Sequence, residues 1–275
     1  MKHIYVNFKR FDVPSELGGV NRLAPVSEYS KTIVNGVKDE LASFENCEFV
    51  QFYPESQIPE AVKAAKGSVL KIGCQGVHRD DVMIGGNFGA FTTLRPAAAM
   101  SALGCTHAII GHCEERKNLA ELFAMAGSSD RTLSAKVLNR EVLAAQKRGL
   151  DVLFCVGEKD TELEEWDTVI KEQLTLGLEG ADLCHVAIAY EPVWSIGPGK
   201  TPAGKDYITK VARLIKQTLG DVPVVYGGGL KKDNAAMLST IDEIDGGLIA
   251  LTRFSGEIGF YPDEYLEIIR LYLGK

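Results

Sequence analysis

Short apolar runs alternate with helical patterns eight times along this chain of 275 residues. Polar residues, glycine or proline bound each run, as expected of a buried strand. Such alternation indicates a parallel sheet with helices packed outside it. The apolar runs fall at 4–8, 48–53, 69–74, 106–110, 152–156, 185–190, 222–226 and 247–251.

Eight such units without a change in composition predict a single domain, residues 1–275, folded as a closed (β/α)8 barrel of the α/β class. An open, doubly wound sheet shows the same alternation and is the alternative. Hydrophobic residues make up 45% of the chain and charged residues 24%, which is the balance of a globular protein in water.

Charge and cysteine usage argue against several classes of function. The formal net charge is −7, whereas nucleic-acid binding requires a basic surface, so we expect no nucleic-acid partner. The six cysteines include no C-x-x-C spacing, which indicates reduced thiols and a cytoplasmic location. We expect no signal peptide, and no apolar run reaches the roughly 18 residues of a membrane span.

The segment after the sixth predicted strand is the most informative about chemistry. The strand ends at Glu191, and Pro192 stops further pairing because it lacks an N–H. The following loop, 192–202, combines prolines at its ends with glycines and the apolar pair Trp194 and Ile196. That composition is typical of a lid that closes and excludes water. A carboxylate at the mouth of a buried strand below such a loop is well placed to act as a general base.

Two other strand ends carry polar groups. Asn7 and Lys9 follow the first strand, and His112 and Glu114 follow the fourth. Taken singly, each side chain has a structural explanation: a solvated lysine, a packed or helix-capping histidine, a salt-bridged glutamate. Because the carboxyl ends of barrel strands meet at one face, we expect them to converge with Glu191. A glutamate, a neutral imidazole and an ammonium suit proton abstraction beside a carbonyl.

Glycines after the seventh strand suggest an anionic ligand. Residues 227–229 are all glycine, and exposed backbone N–H groups near a helix N-terminus can hold a phosphate. A small phosphorylated sugar would suit such a site, although glycine turns are common. The long irregular segment 75–94 has the length of a functional loop or an interface.

Together these motifs resemble the triosephosphate isomerase family over nearly the whole chain. Residues 190–201 are similar to its catalytic glutamate and mobile loop, and 110–116 to its histidine motif. Further similarities lie at 7–9 (first strand), 89–92 (the loop that reaches a partner's active site), 155–158 and 226–229 (strand seven).

The resemblance implies a TIM barrel, a homodimer, and an isomerase of glycolysis and gluconeogenesis that needs no cofactor and no metal. It implies interconversion of glyceraldehyde 3-phosphate and dihydroxyacetone phosphate. The implied catalytic residues are Glu191 as base, His112 as neutral electrophile and Lys9 as electrostatic stabiliser. The implied substrate-binding residues are Asn7, Glu114, Gly197, Gly228 and Gly229.

Some positions depart from the family pattern. Cys113 stands where the family has serine, and Glu115 where it has arginine. The glutamate usually found after 89–92 is missing, and that glutamate and the arginine usually form an ion pair. Their joint loss suggests a changed loop or subunit contact. Gly229 replaces a serine, which removes one hydroxyl from the phosphate site.

Strand eight departs most. Ala250 and Leu251 stand where the family has two glycines whose N–H groups hold the phosphate, and Thr252 and Arg253 follow. We include Leu251 and Arg253 among the predicted substrate-binding residues, because a guanidinium fork suits phosphate geometry. An outward salt bridge of Arg253 is the alternative. A rebuilt phosphate site leaves a longer ketose phosphate, such as a tetrulose phosphate, as the alternative substrate.

Three other classes of function are weaker hypotheses. A metal hydrolase could use His107, His112, Cys113 and Glu114, but strand alternation places His107 and His112 on opposite faces. A barrel without catalysis could serve as a binding protein. A Schiff-base aldolase could use Lys9 as its nucleophile.

Overall fold

Eight parallel strands close into a barrel in the computed structural model, which describes residues 1–197 and 200–275. Each strand pairs with its sequence neighbours, and the last pairs with the first. The closed barrel predicted from the alternation is therefore confirmed over the open sheet. The strands are β1 (Lys2–Asn7), β2 (Cys47–Tyr53), β3 (Leu70–Cys74), β4 (His107–Ile110), β5 (Asp151–Val156), β6 (Val186–Tyr190), β7 (Val224–Tyr226) and β8 (Gly246–Ile249).

Helices surround the barrel. They are α1 (Tyr29–Leu41), α2 (Ile58–Ala65), α3 (Ala97–Ala102), α4 (Cys113–Met125), α5 (Thr132–Lys147), α6 (Trp166–Gly177), α7 (Lys205–Leu219), α8 (Lys232–Ser239) and α9 (Pro262–Leu273). Among the described residues, no helix is long and apolar enough to cross a membrane.

Alternate residues of each strand pack in two separate apolar layers. One layer fills the barrel and includes Tyr5, Phe52 and Leu153. The other lies between strands and helices and includes Ile4 and Phe154. Both faces of the sheet are buried, which explains why the strands read as continuous apolar runs.

The amino ends of the strands carry a chain of alternating imidazoles and carboxylates. His3 Nδ1 lies 2.9 Å from a Glu48 oxygen, and the other Glu48 oxygen lies 3.5 Å from His107 Nε2. Asp151 bridges His107, at 3.6 Å, and His185, at 2.6 Å. His107 therefore lies at the opposite end of its strand from His112, which argues against a metal centre that uses both.

Glu48 should make the stability depend on pH. Burial by itself raises the pKa of Glu48, but hydrogen bonds from His107, His3 and Lys71 outweigh it and hold the pKa well below its usual value. A depressed carboxyl pKa stabilises the fold above the unfolded pKa, which is about 4.3, and that stability is lost as the pH falls towards the folded pKa.

We expect Glu48→Gln to lower the free energy of unfolding by about 2 kcal/mol at pH 7, because the buried imidazoles of His3 and His107 lose their charged acceptor. The difference from wild type should shrink below about pH 4, where Glu48 is protonated in the unfolded chain. Urea unfolding across pH measures it, with the exposed Glu45→Gln as control. A loss that does not change with pH would contradict this account.

Candidate active site

The side chains predicted to form an acid–base set lie in one cluster at the carboxyl ends of β1, β4 and β6. His112 Nε2 is 3.2 Å from Glu191 Oε1. Lys9 Nζ lies 2.6 Å from Glu114 Oε1, and the other Glu114 oxygen lies 3.7 Å from His112 Nδ1. An ammonium, an imidazole and two carboxylates thus form a continuous polar group.

Glu191 is buried at the end of β6, with 2% of its surface exposed. The backbone N–H of Cys113 donates to its Oε2 at 2.8 Å. Burial raises the pKa of Glu191 to about 8, against the opposing effects of that N–H, Lys9 and Arg116. A raised carboxyl pKa matches a general base that must take and return a carbon-bound proton near neutral pH.

Glycines on the neighbouring strands make room for Glu191. A Cβ on Gly157, after β5, would lie 1.8 Å from the Glu191 carbonyl oxygen, and one on Gly227, after β7, 2.7 Å from its Cγ. The Gly227 N–H also donates to the Tyr190 carbonyl at 2.6 Å. A side chain at Gly157 would therefore displace the backbone of Glu191, and one at Gly227 would displace its side chain.

His112 caps the N-terminus of α4, and its Nδ1 accepts the backbone N–H of Glu114 at 3.3 Å. Burial lowers the pKa of His112 to about 4, with Lys9 adding to the effect. The positive end of a helix also opposes an imidazolium. The ring is therefore neutral at pH 7, and because Nδ1 accepts, Nε2 carries the proton that faces Glu191.

Asn7 and Gln75 hold the turn that presents Lys9. The backbone of Lys9 has a φ of 41°, a left-handed conformation that is uncommon for lysine. Asn7 Oδ1 accepts the Lys9 N–H at 3.0 Å, and Gln75 Nε2 donates to Asn7 Oδ1 and to the Lys9 carbonyl. Gln75 was not predicted as a site residue; its position directly after β3 was the available signal.

Glu158 fastens the start of the loop that follows Glu191. This carboxylate is fully buried, and its Oε1 accepts from Tyr190, Trp194 and Tyr207 at 2.9, 2.7 and 3.1 Å. Trp194 belongs to the predicted lid, so Glu158 fixes one end of it. The predicted lid also includes Pro198 and Gly199, which lie outside the described residues.

The residues predicted to bind the phosphate lie at the same end of the barrel. Gly197, the last described residue before 198, is exposed. Gly228 and Gly229 follow β7. Half-buried Leu251 lies two residues beyond β8. Lys231, which we did not predict, places Nζ 4.4 Å from the centre of the Phe254 ring and so connects the loops after β7 and β8.

Arg253, predicted to bind phosphate or to form a salt bridge, contacts the first turn of α9. Its guanidinium donates to Glu264 Oε1 at 2.7 and 2.9 Å, and it lies 3.8 Å from the centre of the Tyr261 ring. Thr252 donates to the other Glu264 oxygen at 2.9 Å. Of the two alternatives for Arg253, the structure therefore shows the salt bridge, because the first turn of α9 supplies a carboxylate.

Glu115 forms a buried carboxyl pair. Its Oε2 accepts the Gly111 N–H at 2.6 Å. Burial raises the pKa of Glu115, and burial together with the charge of Glu115 raises the pKa of Glu141 to about 9. Burial therefore favours the protonated form of Glu141 at pH 7.

Comparisons with known proteins give the family. The family model "Triosephosphate isomerase" matches residues 24–270. The chain belongs to the triosephosphate isomerase family. Curated members of this family are isomerases, which makes the chain a member of an enzyme family.

Similar members of the family come from several bacteria. The triosephosphate isomerase of Lactiplantibacillus plantarum is 32% identical over 250 residues, covering 86% of this chain and 89% of the relative. That of Chlorobium luteolum is 38% identical over 199 residues, covering 68% and 72%. The crystal structure of triosephosphate isomerase from Bartonella henselae has a TM-score of 0.72 at 26% identity and covers 99% of both chains.

We expect Glu158→Ala to lower the free energy of unfolding by about 3 kcal/mol, because buried Tyr190 and half-buried Trp194 and Tyr207 each lose an acceptor worth about 1 kcal/mol. The emission of Trp194 should also change in the folded protein, because the indole N–H loses its partner. Thermal unfolding and tryptophan fluorescence measure the two effects. The exposed Glu164→Ala is the control, and equal stability of both variants would refute the anchoring role.

Proposed function

We propose that this chain is an aldose–ketose isomerase that interconverts glyceraldehyde 3-phosphate and dihydroxyacetone phosphate through an enediolate. The observation that carries the proposal is the 3.2 Å approach of the Glu191 carboxylate to the Nε2 of a neutral His112. A base and a hydrogen-bond donor meet there at the mouth of the barrel, where substrates bind in this fold.

The geometry supports a sequence of proton transfers. Glu191 removes the proton from the carbon next to the carbonyl, and the electron pair moves onto the carbonyl oxygen. The N–H of His112 and the ammonium of Lys9 stabilise the resulting oxyanion. His112 then carries a proton between the two adjacent oxygens, and Glu191 returns its proton to the neighbouring carbon. The sum is an isomerisation without net gain or loss of atoms.

We propose that backbone N–H groups donate hydrogen bonds to the substrate phosphate. Those of Gly197, Gly228 and Gly229 are assigned this role, and Leu251 lies at the edge of the site. Lys231 adds a positive charge to the same rim, which favours an anion. Asn7 and Glu114 keep positioning roles, because one holds the Lys9 turn and the other contacts both Lys9 and His112.

The loop after β8 favours a second candidate substrate, a tetrulose phosphate. Arg253 pairs with Gly259 in a tight antiparallel bridge, and Thr252 and Arg253 both bind Glu264. Leu251 replaces a glycine of the family at this point. A bulkier wall here would shift the phosphate, and a longer sugar would then reach Glu191 better.

We also propose a homodimer. Met83, Ile84 and Phe88 lie on the loop 75–94 and expose 58%, 109% and 88% of their surface. Apolar side chains clustered on one loop indicate a surface that another chain covers. A second copy is the partner proposed for this loop, and a cytoplasmic location without a nucleic-acid partner is proposed alongside it.

We expect the protein to exchange a carbon-bound hydrogen of either triose phosphate with deuterated water. Glu191→Asp should lower kcat by about 100-fold or more, since the base moves back by about 1 Å, while KM and thermal stability change little. NMR detects the exchange, with the exposed Glu257→Asp as control on the same face. If the wild-type protein leaves every tested sugar phosphate unexchanged, the isomerase proposal fails.

We expect Arg253→Ala to lower the free energy of unfolding only slightly, because it breaks a partly exposed salt bridge. KM for triose and tetrulose phosphates should stay within about twofold, since the guanidinium is already engaged. Steady-state kinetics with both sugar phosphates measure these KM values and also show which of the two is the better substrate. A KM that rises about tenfold for either substrate would show that Arg253 contacts the phosphate.

A further inference from the structure

Three side chains of types that bind metals lie close together, and one of them, Glu191, is the proposed base. His112, Cys113 and Glu191 each place one ligand atom within 4.8 Å of the other two. His112 Nε2 lies 3.2 Å from Glu191 Oε1 and 4.0 Å from Cys113 Sγ. The thiol is peculiar to this chain's motif, because the family pattern has serine at this position.

The spacing fits a small tetrahedral ion. Zn²⁺ binds sulfur at about 2.3 Å and nitrogen or oxygen at about 2.0–2.2 Å, which places tetrahedral ligand atoms about 3.4–3.6 Å apart. The two separations from His112 Nε2 lie within about 0.4 Å of that range, and all three ligand atoms lie within 4.8 Å of one another. Binding therefore requires the side chains to move slightly relative to one another.

We propose that His112, Cys113 and Glu191 form a site for Zn²⁺ that competes with substrate, so that the ion inhibits the enzyme. Binding replaces the S–H bond of Cys113 by a Zn–S bond, and the proton goes to the buffer. The ion is an exogenous ligand and takes no part in the isomerisation. Only the inhibition depends on the proposed function; binding of the ion does not.

Neighbouring groups support the three ligands. Coordination through Nε2 requires the ring proton of His112 to move to Nδ1. The Glu114 N–H then loses its acceptor at Nδ1, and Glu114 Oε2, 3.7 Å from Nδ1, is the group placed to accept a hydrogen bond from the new Nδ1–H. The Cys113 N–H holds Glu191 Oε2 at 2.8 Å and leaves Oε1 for the metal. A carboxylate that orients a ligating imidazole is a common feature of zinc sites.

The nearby cations are paired, which limits their repulsion of the ion. Lys9 Nζ is bound to Glu114 at 2.6 Å. The Arg116 guanidinium donates to the carbonyls of Gly111 and Cys155 at 2.8 and 2.7 Å. The thiolate of Cys113 and the carboxylate of Glu191 balance the two positive charges of the metal, so the ion and these two ligands together carry no net charge.

The test compares Cys113→Ser with Cys184→Ser, a matched control that removes the exposed cysteine beside His185. Equilibrium dialysis against Zn²⁺ without substrate gives stoichiometry and affinity. Co²⁺ used in place of Zn²⁺ reports a bound thiolate through a near-ultraviolet charge-transfer band. Thermal unfolding shows that each variant is folded, and Glu191→Gln provides a second, independent ligand deletion.

We expect one Zn²⁺ per chain in the wild type and in Cys184→Ser, and an affinity at least about 100-fold weaker in Cys113→Ser and Glu191→Gln. The cobalt band should vanish in Cys113→Ser alone among the two cysteine variants. Unchanged affinity in Cys113→Ser, or loss of binding in Cys184→Ser, would overturn the proposal. If the protein proves inactive as an isomerase, the dialysis still decides whether the metal site exists.

Discussion

The burial of one carboxylate organises the candidate site. Glu191 loses its hydration at the end of β6 and receives in return one N–H, from Cys113 at the start of α4. The loss of hydration raises the pKa of Glu191, and the N–H of Cys113, which partly opposes that effect, ties the end of β6 to the helix that follows β4. The glycines at 157 and 227 are a condition of the same arrangement, because a Cβ at 157 would overlap the carbonyl oxygen of Glu191 and one at 227 would crowd its Cγ.

The barrel could be predicted from the sequence because both faces of its strands are apolar. The eight predicted strands overlap the observed ones. Helix α4 is poorly indicated by the sequence, since none of its thirteen residues, all within the described part of the chain, is fully buried. A helix without a buried face leaves little periodicity to detect.

The proposed catalytic groups were predictable because they follow strands directly. The hydrogen-bond and salt-bridge partners of residues around the site were not predictable. Glu264 lies eleven residues beyond Arg253, and only the bend closed by Gly259 brings the two together. Gln75 and Glu158 also follow strands, but their roles depend on carbonyls and hydroxyls that come from other elements. Sequence motifs identify the groups near a reaction, whereas tertiary packing decides what each of them binds.

The two ends of the barrel hold two separate polar networks, one around Glu48 and one around Glu191. The network around Glu48 joins the strands where they begin, and an apolar interior with Phe52 and Leu153 separates it from the mouth. Protein engineers could therefore diversify the loops after β7 and β8 in a library selected for new sugars. Such a library would leave the network around Glu48 unchanged at the far end of the molecule, and few of its members should lose solubility.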